Sequence, residues 1–247
     1  MKKTKMQSKL ENKFYEVVIP KNNERELFTR AMDLGYSKVI FLYNFKTRSE
    51  LAKQKKLLSE FGGKAKIGVY LSPKKPNDIE KLSNQFCLEA DLIAVTSKDE
   101  NVIRAAVSSP KIDLVFGIVP SGGRDHTHYR NSNFNQILAA LASRNKVSYG
   151  ISFSYILNVS GKQRALVIGR EMQNLKICRK KVNILIASFA RDVWELRNPL
   201  DLQALCAAMK AGTKTVKQAI SLTKQIADEK EFKRSKEFIR PGVRLVD

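Results

Sequence analysis

The only two histidines of the chain lie two positions apart, in the polar segment from Pro120 to Arg130. Asp125 precedes them, and Asp125, His126 and His128 together could hold a metal ion for phosphoester hydrolysis. A metal site of this kind needs three or four ligands, and the other predicted strand ends do not supply the set. Two solvated loop histidines are therefore the simpler interpretation. A metal-dependent phosphoesterase is the alternative.

Other catalytic patterns are missing from the sequence. It contains no GxSxG nucleophile elbow and none of the glycine-rich phosphate loops of nucleotide-binding enzymes. The three cysteines, Cys87, Cys178 and Cys206, are far apart, and none is near a histidine in sequence. Scattered cysteines indicate a reducing compartment and argue against a disulfide framework or a zinc site. We therefore expect no catalytic residue, no metal site and no cofactor bound by the protein.

The charge of the chain indicates a polyanionic partner. Lysine and arginine number 45 against 24 aspartate and glutamate residues, which gives a formal net charge of +21. An excess of this size attracts phosphate-rich ligands, so it favours nucleic acid. A general lysine-rich composition or attraction to acidic membranes would explain it less specifically.

The helix predicted from Ser160 carries the densest group of cations. Segment 161–181 contains seven basic residues and one acidic residue, whereas a solvated helix face usually mixes its signs. Four of these cations fall on one broad arc at about 100° per residue. With cations from other helices, from the polar loop and from the end of the seventh strand, the candidate RNA-binding residues are Arg104, Arg124, Arg130, Arg144, Lys162, Arg170, Lys176, Lys180, Arg191 and Arg197. A salt bridge is the alternative for Arg104, Arg144, Arg191 and Arg197, and ordinary loop composition is the alternative for Arg124 and Arg130. A second patch, Lys53, Lys55 and Lys56, is equally well explained as a solvated face.

The elements that must position these side chains alternate between short β-rich runs and amphipathic helices. Repeated βα units require parallel strands with right-handed crossovers. Pro20-Lys21-Asn22 follows the first strand without a glycine turn, which favours a TIM-barrel-like (β/α) barrel over a doubly wound sheet. An eighth strand is doubtful. The seven predicted strands are 14–20, 38–43, 66–71, 91–96, 112–119, 147–157 and 182–190.

The predicted barrel occupies residues 13–229, between a basic amino-terminal extension, 1–12, and a charged carboxyl-terminal tail, 230–247. Catalytic groups of such barrels lie at the carboxyl ends of the strands. At those positions only Asp192 is acidic and none is histidine, cysteine or glutamate. No apolar run approaches the roughly 20 residues that cross a membrane. No apolar segment follows the basic start, so we do not interpret it as a signal peptide. We expect a cytoplasmic protein without a membrane partner.

Two stretches resemble a known family. The segment Asn101–Ala106, followed by Ile112–Leu114, is similar to a helix and strand of the roughly thirty-kilodalton barrel subunit of archaeal and eukaryotic ribonuclease P. The stretch Ile186–Gly212 resembles that family's signature, in which a serine at a strand end precedes Leu-Arg-x-Pro-x-Asp-Leu and a helix closed by glycine. Here the signature residues are Ser188, Leu196, Arg197, Pro199, Asp201, Leu202 and Gly212. Phe189 departs from the pattern, since the family commonly has glycine or alanine there.

The resemblance implies a barrel related to polymerase-and-histidinol-phosphatase-type metallophosphoesterases but without their metal ligands. It implies a component of the endonuclease that removes the 5′ leader of precursor tRNA, with the chemistry and the magnesium ions held by ribonuclease P RNA. The implied partners are that RNA, precursor tRNA, a small ferredoxin-like protein subunit and other ribonuclease P proteins. The compartment would be the nucleus in a eukaryote. A non-catalytic barrel that binds another RNA is a further alternative.

Overall fold

The computed structural model of the chain describes residues 14–179, 181–235, 237–240 and 243–244. The predicted extension, 1–12, and the candidate Lys180 lie outside these ranges. Seven strands form one sheet, and each pairs in parallel with the next along the chain. They are β1 (Tyr15–Val18), β2 (Lys38–Tyr43), β3 (Ala65–Leu71), β4 (Leu92–Val95), β5 (Leu114–Phe116), β6 (Ser148–Ser152) and β7 (Ile184–Ala187). The predicted TIM-barrel-like class is confirmed.

Helices follow the strands and cover the outside of the barrel. They are α1 (Glu24–Asp33), α2 (Arg48–Leu58), α3 (Asp78–Phe86), α4 (Glu100–Ser108), α5 (Gln136–Asn145), α6 (Phe153–Asn158), α7 (Gly161–Cys178), α8 (Pro199–Ala208) and α9 (Thr213–Lys233). Short 3-10 turns occupy Ser59–Phe61 and Val193–Glu195. A small antiparallel pair, β8 (Phe238–Arg240) and β9 (Val243–Arg244), follows the last helix.

The barrel closes with seven strands in the part of the chain that the structure describes. β1 pairs with the residues just after β7, through a parallel bridge between Val18 and Ala190. The amide of Phe189 donates to the carbonyl of Val17 at 2.8 Å, and the amide of Ile19 donates to the carbonyl of Ala190 at 2.8 Å. The residues just after β7 therefore pair with β1 and take the place of an eighth strand.

Two hydrophobic cores lie on the two faces of the sheet. Ile40 and Leu42 of β2 belong to the cluster inside the barrel, together with Leu114 of β5. Val39 and Phe41 belong to the cluster between the strands and the helices. Both faces of a barrel strand are covered, so residues 39–42 of this strand are apolar without interruption and show no polar alternation.

Helix α9 covers the amino-terminal end of the barrel. Its residues Leu222 and Ala227 are buried among the interior side chains. Lys230 forms an ion pair with Asp113, before β5, and Arg234 forms one with Asp91, before β4. The predicted tail begins at residue 230, but α9 continues to Lys233. The ion pairs of Lys230 and Arg234 fasten this part of the chain to the barrel.

Polar side chains cap the starts of several helices. The Thr47 hydroxyl accepts from the amide of Glu50 at 3.2 Å, and Asn198 caps α8 with Pro199 at its first position. The Asp99 carboxylate accepts from the first amides of α4.

The sixth predicted strand was too long. Its second half is helix α6, which begins after Ser152. The hydroxyl of Ser152 accepts from the amide of Tyr155 at 3.2 Å, and this cap turns an apolar run into a helical turn.

Candidate nucleic-acid interface

Arg170 is enclosed by the protein. Its side chain is fully buried on α7, and its Nε donates to the Asp125 carboxylate at 2.7 Å. Its two terminal nitrogens donate to the carbonyls of Pro120, Gly122 and Gly123 at 2.7–2.9 Å. The prediction that Arg170 lies on an exposed, RNA-facing arc is wrong, because the polar loop folds back over this side of the helix.

The same loop makes Asp125 unavailable to the metal site of the phosphoesterase alternative. Both of its carboxylate oxygens are occupied, because Arg130 also binds this side chain, at 3.2 Å. Burial alone would raise the pKa of Asp125, but the hydrogen bond from Arg170 and the positive charges beside it hold that pKa below its usual range. His126 stacks on Tyr129 with 4.4 Å between ring centroids. Among the described residues, no group of three or more histidine, cysteine, aspartate or glutamate side chains is placed to hold a metal ion.

Near the carboxyl ends of the strands lie polar contacts, partly exposed at Lys98 and buried at Glu171, that sequence reasoning did not predict. The amine of Lys98, after β4, donates to the carbonyls of Gly117 and Val119. Burial lowers the pKa of Lys98 to about 8. Deeper inside, the hydroxyl of Tyr149 donates to the carboxyl of Glu171 at 2.6 Å, and burial raises the pKa of Glu171 to about 7. These groups fasten the loop after β5 and contain no nucleophile next to a base.

Two candidates lie beyond the end of β7. Arg191 is exposed, whereas Arg197 is half-buried, with its guanidinium 5.0 Å from the centre of the Phe153 ring. Arg197 also donates to the carbonyl of Trp194 at 2.8 Å. The indole of Trp194, the only tryptophan of the chain, is 81% exposed. Sequence gave no signal for this exposure, which depends on the path of the 3-10 turn.

Four further candidates are exposed but scattered. Arg104 pairs with Glu100 on α4 at 3.9 Å, as the salt-bridge alternative predicted. Arg144 lies in the last turn of α5, and Arg124 lies in the polar loop. Lys162 lies in the first turn of α7, so roughly 20 Å of helix separates it from Lys176 in the last turn. The predicted arc is therefore not one continuous surface.

The remaining candidates, Arg130 and Lys176, meet in a groove beside the end of α7. Two adjoining hollows of about 470 Å³ and 580 Å³ run between this helix, the segment before β7 and the start of α9. Four cations that sequence reasoning missed also line them: Arg179, Lys181, Lys210 and Lys214. A signal existed, since residues 172–191 and 202–227 contain no aspartate or glutamate.

Comparison with known proteins decides which family has this combination of a barrel and a cationic surface. The family described as RNase P subunit p30 matches residues 13–235, which is nearly the whole chain. The chain belongs to this family. The resemblance seen in the sequence is confirmed.

Relatives of the p30 family share the length of the chain. "Ribonuclease P protein component 3" of Methanothermobacter thermautotrophicus is 27% identical over 227 residues, which is 89% of each protein. The protein of the same name from Methanosarcina acetivorans is 29% identical over 140 residues, covering 56% of this chain and 55% of that relative. A chain of an archaeal ribonuclease P structure with mature tRNA shares the fold, with a TM-score of 0.78 at 20% identity over 94% of this chain and 98% of that one.

Ser188, the serine of the p30 signature, lies at the seam of the barrel. Ser188 donates from its amide and its hydroxyl to the carboxylate of Glu16, at 2.9 Å and 2.6 Å, so the serine joins β7 to β1. Burial raises the pKa of Glu16 in spite of these hydrogen bonds. Phe189, at the position where small residues are common, adopts a left-handed φ of 50° and stacks on Phe116 inside the barrel, 4.4 Å between centroids. The larger side chain therefore fills interior space.

No helix in the described ranges has both the length and the apolar character needed to cross a membrane.

Proposed function

We propose that this chain is the barrel subunit of a ribonuclease P holoenzyme, where it binds the catalytic RNA and supports removal of the 5′ leader from precursor tRNA. The observation that carries the proposal is the p30 family match over residues 13–235. A formal net charge of +21 supports it, because crowded RNA phosphates repel one another until cations neutralise them.

The proposed role is binding without bond cleavage. Asp125, the carboxylate that a phosphoesterase would need beside the two histidines, is held by Arg170 and Arg130. A ligand whose oxygens already accept from two guanidinium groups is poorly placed to bind a metal. In this proposal the magnesium ions belong to the RNA, and the isolated chain leaves phosphodiesters intact.

The proposed partners are ribonuclease P RNA, precursor tRNA through the holoenzyme, a small ferredoxin-like subunit and the other ribonuclease P proteins. The names of the Methanothermobacter and Methanosarcina relatives support this assembly, and so does the similar chain in the archaeal ribonuclease P structure with mature tRNA. The proposed setting is the cytoplasm, or the nucleus if the source is a eukaryote.

Reconstitution tests the proposal. Ribonuclease P RNA and the other protein subunits are assembled with and without this chain, and cleavage of the 5′ leader is measured over a magnesium titration. We expect omission of the chain to lower the rate and to raise the magnesium concentration required, because fewer phosphates are neutralised. An unchanged rate and an unchanged magnesium requirement would contradict the proposal.

A variant separates the proposal from the phosphoesterase alternative. The double substitution His126→Ala and His128→Ala removes both imidazoles that the phosphoesterase alternative needs as metal ligands. We expect the reconstituted particle to keep its activity within about twofold, because both residues are exposed loop side chains. Hydrolysis of a phosphoester by the RNA-free chain, lost in this double variant, would support the alternative.

A further inference from the structure

The groove beside the end of α7 concentrates positive charge on two walls. Lys176 and Arg179 come from the end of α7, and Lys210 and Lys214 come from the junction of α8 and α9. Arg130 closes one end, and Lys181 lies towards the other. None of the residues that line the two hollows is acidic. An ordinary exposed surface mixes its signs, so this one indicates a ligand of opposite charge.

Arg130 is paired with Asp125, but four other cations of the groove are not used by the protein itself. Within the described part of the chain, the side chains of Lys176, Arg179, Lys210 and Lys214 form no hydrogen bond or ion pair. Arg170, on the same helix, donates to four oxygen atoms of the protein. The four unpaired cations are therefore available to a ligand.

Two local backbone features shape the groove. Gly169 lies beneath the guanidinium of Arg130, and a Cβ atom there would come within 2.6 Å of the Arg130 Nη1. Because the glycine has no side chain, the Arg130 guanidinium can contact the helix at the end of the groove. On the opposite wall, Lys210 has a left-handed φ of 63° at the end of α8, which turns the chain towards Lys214.

We propose that this groove binds a phosphodiester backbone of the RNA, a proposal that rests on the function proposed above. Six cations line it, four lysines and two arginines, and none of its lining residues is aromatic. Stacking and edge recognition of bases rely on aromatic rings and on paired hydrogen-bonding groups. Lysine-rich walls instead neutralise phosphates, so the groove positions the RNA without reading its sequence.

The test compares two triple variants of equal charge change. The groove variant is Lys176→Ala, Lys210→Ala and Lys214→Ala. The control is Lys53→Ala, Lys55→Ala and Lys56→Ala, three lysines on α2 that form the second patch of the sequence analysis. Binding of the full chain to ribonuclease P RNA, with the other protein subunits present, is titrated from about 50 mM to about 300 mM monovalent salt.

We expect the groove variant to bind about tenfold more weakly near physiological salt, with a salt slope reduced by about two to three, because each phosphate contact contributes about one unit. The control should change affinity less than about twofold. Circular dichroism and the urea midpoint show whether each variant is folded.

A second variant moves a groove cation without removing charge. Gly169→Ala pushes the Arg130 guanidinium off the helix, so we expect a loss of affinity of a few-fold at unchanged net charge. Equal losses in both triple variants would overturn the groove proposal, since net charge alone would explain them. A groove variant that binds RNA normally but fails to recruit another protein subunit would also overturn it, in favour of an acidic protein surface. If the unmodified chain itself neither binds the RNA nor stimulates cleavage, the proposed function fails instead.

Discussion

Arg170 and Lys176 are six positions apart on one helix, yet the first is enclosed by the protein and the second faces a groove. The difference comes from the loop before α5, whose carboxylate and carbonyl groups need donors. Arg170 supplies them with both ends of its planar guanidinium, a geometry that a lysine cannot reproduce. A helical wheel drawn from the sequence sees neither the loop nor its oxygen atoms.

The role of Arg170 gives a prediction for stability. We expect Arg170→Ala to lower the free energy of unfolding by about 3 kcal/mol or more, because it removes the buried donor of Asp125 and the side-chain donor of three carbonyl groups. Urea unfolding followed by circular dichroism measures the change. Arg144→Ala, in the exposed last turn of α5, is the matched control and should change stability by less than about 0.5 kcal/mol. Similar losses in the two variants would refute the structural role.

Glu171 gives a prediction for pH dependence. Burial raises its pKa from 4.5 to about 7, against the hydrogen bond from Tyr149 and the charge of Lys98. Between these two values the folded chain keeps a proton that the unfolded chain releases, so this carboxyl group destabilises the fold as pH rises.

We compare the free energy of unfolding of Glu171→Gln with that of the unmodified chain. We expect this difference to change by about 2 kcal/mol in favour of the variant from about pH 5 to about pH 7.5, because glutamine does not titrate. Urea midpoints of the two proteins at both pH values measure this. Comparing them cancels other groups, such as Glu16, whose pKa burial also raises. A difference that is the same at both pH values would contradict the prediction.

At the scale of elements, α9 is the cover of the barrel as well as one wall of the groove. Leu222 is buried among the interior side chains. We expect Leu222→Ala to cost about 2–5 kcal/mol of stability, because it leaves a cavity where the helix meets the strands. Leu200→Ala on α8, 57% exposed, is the same chemical change without burial and should cost less than about 1 kcal/mol. Thermal or urea unfolding of both variants tests the difference.

Sequence patterns predicted a secondary-structure element best where a single physical effect determined it. The run Lys38–Tyr43 is a strand with the predicted bounds, since β-branched and aromatic residues fill it and both of its faces are covered. The run from Val147 to Leu157 is interrupted by three serines, and the hydroxyl of one of them, Ser152, caps a helix in its middle. The sequence does not show which of the three serines acts as a cap, because that depends on the path of the backbone.

At the scale of the whole molecule, the barrel class could be predicted but its closure could not. The βα repeat is written along the sequence, whereas the pairing of Val18 with Ala190 joins residues from the two ends of the sheet. The groove has the same origin. Lys176 was predicted from its helix, but Lys210 and Lys214 join it only because α8 and α9 pack beside β7. Contacts between distant segments carry no periodic signal.

The position of α9 has a consequence for biosynthesis. The ribosome makes β1 well before α9, and Tyr15 receives its partner Asp228, at 2.9 Å, only after 213 further residues have been translated. Until α9 leaves the exit tunnel, the leucines of β4, β5 and β7 line an open end of the barrel that chaperones and proteases can reach. Burial of the barrel interior therefore waits for the synthesis of α9, so a nascent chain that stops before this helix leaves those leucines exposed.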